Sequence, residues 1–208
     1  MSNTNNTSKT NDKKIARMAF IGMFGAIAAI LMFIEVPIPF IAPPFYKMDL
    51  SELPALIGAF CMGPVAGIVI EVIKILIHLL IKGTSTAFVG ELGNLVIGLA
   101  LILPASIIYQ IKKTRKHAII GMAVGTLVMV ICGATFNGYV LLPFYAAAFG
   151  GMEAIVAFGT AVHASVTNVL TFCALCVAPF NLIKGIIVSV LTAILYKHIS
   201  GLIKRYGA

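Results

Sequence analysis

The chain has 208 residues, 60% of them hydrophobic and only 11% charged, with a formal net charge of +8 and a mean hydropathy of +1.05. A soluble domain of this length carries roughly a quarter charged residues, so the composition excludes one and points to an all-α membrane bundle. Residues 18–34, 92–110, 118–152 and 154–183 contain no Asp, Glu, Lys or Arg, and a span needs about 20 mostly apolar residues.

Residues 1–14 read as a disordered cytoplasmic tail, polar over 1–12 and then basic at Lys13, Lys14 and Arg17, with no cleavage site of a secretory signal after them. Residues 15–208 are expected to form a single transmembrane substrate-binding domain. Helix one is predicted over 15–34. Pro37, Pro39, Pro43 and Pro44 then impose a stiff, irregular loop over 35–51. A short helix follows over 52–62 with Ser51 as its cap, then a turn at Gly63-Pro64 and helix three to residue 81. Helix four covers 89–111 and closes at the basic run 112–116. Helix five runs from 117 to 142, where Pro143 is expected to break it. Residues 144–177 are rich in glycine and small polar residues and read as a structured connection with a short helix. Pro179 is expected to open the last helix.

Basic residues gather before helix one, at 112–116, and at Lys197, Lys204 and Arg205. Six transmembrane helices with both termini cytoplasmic put all three clusters inside, as the positive-inside rule requires. The net charge is thus an orientation signal, and no nucleic acid is expected as a partner; the bilayer is. The longer loops then become ordered extracellular segments, suited to cover a ligand pocket.

Charges inside spans cost several kcal/mol unless paired or solvated. Glu71, Lys74 and His78 share one helical face, as an internal ion pair or as ligand contacts. Glu91, Asn137, Asn181 and Lys184 fall at one predicted depth beneath the outer loops, and Glu91 could pair with Lys184 or complement a helix dipole. Their mixed donors and acceptors suit a ligand with hydroxyls and ring amides, with Phe40, Phe45, Tyr46, Phe136, Tyr139, Phe144 and Tyr145 supplying apolar walls or interfacial anchors. The pair Cys173 and Cys176 has redox-motif spacing but sits, like Cys61 and Cys132, in hydrocarbon-like sequence; a zinc site lacks its second ligand pair, and no metal is expected. No phosphate-binding loop, zinc-protease or serine-hydrolase motif is present, so no catalytic residue is assigned and any pumping needs a partner to drive it. Gly22, Gly25, Ala26 and Ala29 offer a small-residue face on helix one, for docking such a partner or for packing within the bundle.

Three segments carry a resemblance. The run 36–58 (VPIPFIAPPFYKMDLSELPALIG) closely resembles the first loop and second helix of riboflavin-specific S components of energy-coupling factor (ECF) transporters. Residues 82–94 (KGTSTAFVGELGN) and 179–185 (PFNLIKG) resemble two further stretches of that family, and the likeness spans residues 17–197. It implies a non-enzymatic subunit that binds riboflavin as transported ligand, without a cofactor, in the cell membrane. It further implies a transmembrane coupling subunit that docks on helix one and two cytoplasmic ATPase subunits. The family's flavin contacts correspond here to Glu91, Asn137, Asn181 and Lys184. A self-sufficient secondary transporter with Glu71, Lys74 and His78 as a proton relay, an S component for another vitamin, and a purely structural subunit are the alternatives.

Overall fold

The structure is a computed structural model that describes the backbone of residues 3–206 and the side-chain surroundings of residues 13–196 and 201. The C-terminal basic cluster therefore lies outside the side chains described. The helices are α1 (Asn3–Phe33), α2 (Glu52–Met62), α3 (Pro64–Lys82), α4 (Val89–Ile111), α5 (Arg115–Phe136), α6 (Leu142–Phe149), α7 (Met152–Val162), α8 (Val169–Phe172) and α9 (Ala178–Tyr206). Five helical stretches are long and apolar enough to cross a membrane: Lys13–Phe33, Pro64–Lys82, Val89–Ile111, Arg115–Phe149 and Val169–Tyr196. The chain is a multi-pass membrane protein. At its start the backbone is helical from Asn3, where composition alone suggests a disordered tail. Extending an existing helix costs no new nucleus, so poor helix formers can be carried along.

Two prolines behave differently from expectation. Pro143 does not end helix five: a π turn at Asn137–Leu141 joins α5 to α6, and the combined helix stops only at Gly150-Gly151. Nor does Pro179 open the last helix. That helix starts at Val169, where Asn168 and Thr171 cap each other reciprocally, and passes through a second π turn, Cys173–Val177, into α9. The physical reason is shared. A proline ring clashes with the carbonyl four residues back, here that of Tyr139 or Leu175, and both lie inside the wider turn, which moves that carbonyl aside.

Helices pack as α4 on α5, α1 on α3, α5 on α9, and α2 against α3, α9, α1 and α4. One apolar core fills the bundle, with Leu56, Phe60, Ile70, Leu101, Ile102, Tyr109, Met129 and Val188 all but fully buried. A second core lies at the loop end, where Ala42 and Met48 pack on Leu142, Ile155, Phe172, Val177 and Phe180. The proline loop reaches that core because a two-residue antiparallel ladder, β1 (Val36–Pro37) with β2 (Lys47–Met48), folds it back on itself. Between the two cores lie the charges.

Candidate functional site

Lys74 and Lys184 anchor a buried belt of ion pairs. Lys74 Nζ lies 2.6 Å from Glu71 Oε2 and 3.5 Å from Glu52 Oε1, and it donates to Ser51 Oγ at 3.1 Å. Lys184 Nζ lies 3.0 Å from Asp49 Oδ2 and 3.0 Å from each Glu52 oxygen. All five charged residues are buried, which is tolerable only because each charge meets an opposite one. Gly98 makes room: a Cβ there would stand 2.9 Å from Glu71 Oε2. Ser51 makes no side-chain cap to α2; its hydroxyl serves Lys74 instead. Glu91 is not the partner of Lys184. It accepts hydrogen bonds from the hydroxyls of Thr84 and Thr86, both at 3.0 Å, on the loop that leads into α4, while Lys184 pairs with Asp49 and Glu52. Two residues of that loop, Ala87 and Phe88, are left-handed, with φ of 46° and 70°, a strained conformation for non-glycine residues.

Two adjoining cavities open at the loop end. The first spans about 640 Å³, including the solvent at its open mouth. Asn137, Asn181, Lys184 and Glu52 form its polar side, and Phe45, Tyr46, Tyr145 and Phe180 are among its aromatic walls. The second, about 1040 Å³, is lined by His78, Glu91, the 82–86 turn, Glu35 and Asp49. Phe45, Lys47, Gly90 and Asn94 border both. Of the four predicted contact residues, three therefore meet in one cavity and Glu91 lies in its neighbour.

Gly133 brings the two asparagines together. Its carbonyl accepts from Asn137 Nδ2 at 2.7 Å, and a Cβ on it would stand 2.7 Å from Asn181 Nδ2. Asn181 Nδ2 donates to Val177 O at 2.9 Å, and Tyr46 donates its hydroxyl to Asn137 Oδ1. Each asparagine is thus fixed by its own helix and keeps amide capacity toward the cavity. At the rim, Glu35 Oε2 accepts from Lys47 at 3.0 Å and Lys82 at 3.1 Å. Partial burial alone would raise the Glu35 carboxyl, but these two lysines outweigh it and hold its pKa below the ordinary value.

The remaining assignments separate. On α3, Glu71 and Lys74 form the expected ion pair, whereas His78 stands apart, stacked on Phe33. The small-residue face of α1 divides: Gly25 and Ala29 are buried, Gly25 against Ile73 of α3, while Gly22 and Ala26 are exposed. Among the described residues the four cysteines are free, and no group of three or more His, Cys, Asp or Glu could hold a metal. Sequence reasoning missed Asp49, Glu52 and Asn94. The signal available was an acidic residue beside a serine at the end of a proline-rich loop.

A helical membrane protein with a polar cavity held under folded loops at one end is the architecture of a solute-binding membrane subunit. Residues 16–196 match the family described as ECF transporter, substrate-specific component, and the chain belongs to that family. It is a transport component, not an enzyme. It is 34% identical over 201 residues to the riboflavin transporter RibU of Staphylococcus aureus, covering 97% of this chain and 99% of that one. With the riboflavin transporter FmnP of Bacillus subtilis it shares 30% identity over 186 residues, 88% of this chain and 91% of the other. A solved S component of a bacterial ECF transporter superposes with a TM-score of 0.72 at 32% identity, covering 92% of this chain and 99% of that chain. The fold is shared with ThiT from Listeria monocytogenes, at a TM-score of 0.60, 20% identity and coverage of 92% and 98%.

Proposed function

We propose that this chain binds riboflavin at the outer face of the membrane and delivers it inward together with a transmembrane coupling subunit and two cytoplasmic ATPases. The observation that supports this most is the first cavity, where Asn137, Asn181 and Lys184 oppose Phe45, Tyr46, Tyr145 and Phe180. A flavin ring system needs apolar walls and a few placed amide partners, and this cavity supplies both. Glu91, one cavity over, is within the same reading as a contact to the ligand's polar extension. Relatives of similar length carry the name riboflavin transporter. Titration of the purified full chain with riboflavin, read by flavin-fluorescence quenching, tests the reading directly. Saturable quenching with a raised melting temperature is expected, and neither in a folded protein would overturn it.

The proposed topology has six crossings with both termini inside. The sixth is α2: its 11 residues rise only about 16 Å, and the proline loop supplies the rest, irregular backbone being tolerable where protein buries it. Arg17 donates to Met62 O, which holds the basic start of α1 beside the α2–α3 turn, at the end away from the cavity. Cysteines placed at positions 5 and 207 should resist impermeant reagents in intact cells, and labelling from outside would sink the topology.

Gly22 and Ala26 are the exposed part of the small-residue face, and we assign coupling-subunit docking to them rather than to the buried Gly25 and Ala29. Ala26→Leu should then impair uptake while sparing riboflavin binding, since a bulky side chain holds two helices apart. Equal loss of both would place this residue in internal packing.

A further inference from the structure

The second cavity holds polar atoms that nothing around them satisfies. His78 is 5% exposed, and neither ring nitrogen has a hydrogen-bond partner among the described residues. Only its ring face is engaged, stacked on Phe33 with centroids 5.2 Å apart and planes 28° from parallel. Asn94, which borders both cavities, has a buried Oδ1 in the same condition. Buried polar atoms are paired in the great majority of cases, so two residues unsatisfied on one cavity wall point to something that binds there.

The charges nearby are already committed. Glu35 holds Lys47 and Lys82, Asp49 holds Lys184, and Glu91 accepts from Thr84 and Thr86 through Oε2, keeping Oε1 for a ligand's hydroxyls. The cavity lining carries three carboxylates against two lysines, which argues against an anion. Besides that oxygen, what remains is neutral: an imidazole with one donor and one acceptor nitrogen, and an amide oxygen that accepts. A chain of hydroxyls, each able to donate and to accept, matches that set.

We propose that His78 and Asn94 form a subsite for a neutral, polyhydroxylated chain that leaves the first cavity past Asn94 and ends its hydrogen bonding at His78. The inference rests on the riboflavin reading, in which the ribityl chain is this occupant and the flavin ring stays in the first cavity. It makes the two residues determinants of preference for a ligand that carries the chain.

The test compares riboflavin with lumiflavin, the same ring system with a methyl group in place of the ribityl chain, on the full chain in detergent. His78→Phe keeps the stack on Phe33 and removes both nitrogens; Asn94→Leu removes the amide at similar volume. In each folded variant the preference for riboflavin over lumiflavin should fall about tenfold, the effect of losing one or two hydrogen bonds. If His78→Phe does not fold, Asn94→Leu carries the test. An unchanged preference in the folded variants means the two groups meet only water, and the subsite is overturned. A wild-type protein that binds both flavins equally overturns the subsite alone, whereas one that binds neither overturns the riboflavin reading and the subsite with it.

Discussion

Two clusters of lysine and carboxylate sit a short distance apart in this protein with nearly the same geometry. At the rim, Glu35 meets Lys47 and Lys82 at 3.0 and 3.1 Å, and the lysine side chains are about half exposed, at 47% and 46%. In the belt, Lys184 meets Asp49 and Glu52 at 3.0 Å, with side-chain exposures of 7%, 6% and 1%. Distance does not separate them; solvent does. Exposed pairs contribute about 0–1 kcal/mol because water screens them and their side chains lose entropy. Buried pairs gain little over an apolar replacement, yet stranding one partner costs about 3–5 kcal/mol. The rim therefore tunes the loop, whereas the belt decides whether α2, α3 and α9 can come together at all.

Lys74→Met should produce the largest effect. It leaves Glu71 and Glu52 facing each other beside one remaining lysine, and about 3–5 kcal/mol of stability should be lost in denaturant titration. A loss below about 1 kcal/mol would mean that water reaches the belt and the contrast with the rim is wrong. Asn181→Ala sharpens the comparison with an uncharged group one turn from Lys184. It strands no charge, so the expected signature is a dissociation constant for riboflavin raised about five- to hundred-fold, equivalent to about 1–3 kcal/mol, with a much smaller change in melting temperature. Equal affinity in the folded variant would remove Asn181 from the site. The smallest effect belongs to Glu35→Gln, about 1 kcal/mol or less and weaker still in high salt. Its pH dependence has a definite sign. A carboxyl whose folded pKa lies below its unfolded one contributes fully above the ordinary carboxylate range, and that contribution fades as pH falls through the depressed value. Wild type and variant should therefore converge in stability in acid; a gap that widens there would contradict the rim assignment.

Much of this architecture was legible in the sequence because apolar length is decisive in a bilayer. Three of the five long spans carry the expected bounds within a few residues, and the polar residues Asn137, Asn181 and Lys184 meet in one cavity as their common depth suggests. What was not legible depends on contacts between distant segments. Asp49 lies 135 residues from Lys184, and no local pattern announces that partner. Common depth allows Glu91 to pair with Lys184 as readily as to complement the start of its own helix, but depth leaves angular position around the bundle open, and Glu91 meets two threonines on the adjacent loop. The prolines misled for a different reason. Sequence alone makes Pro143 and Pro179 helix boundaries, although each is absorbed two residues after a wider turn, an adjustment that leaves no composition signal.

Those wider turns set the angular phase of the cavity. A π turn is one residue more than an α-helix needs, and one residue corresponds to about 100° around the axis. Removing a single residue from Cys173–Val177 would let the helix run on regularly and swing Asn181 and Lys184 by about that angle, away from the cavity, with the hydrophobic length of the span hardly altered. A deletion in Asn137–Leu141 would do the same to Tyr145, on the aromatic wall. Two supernumerary residues thus aim the polar and aromatic halves at one another, and chains of equal hydropathy but one residue shorter at either place would insert just as well and present the ligand with the wrong side of a helix.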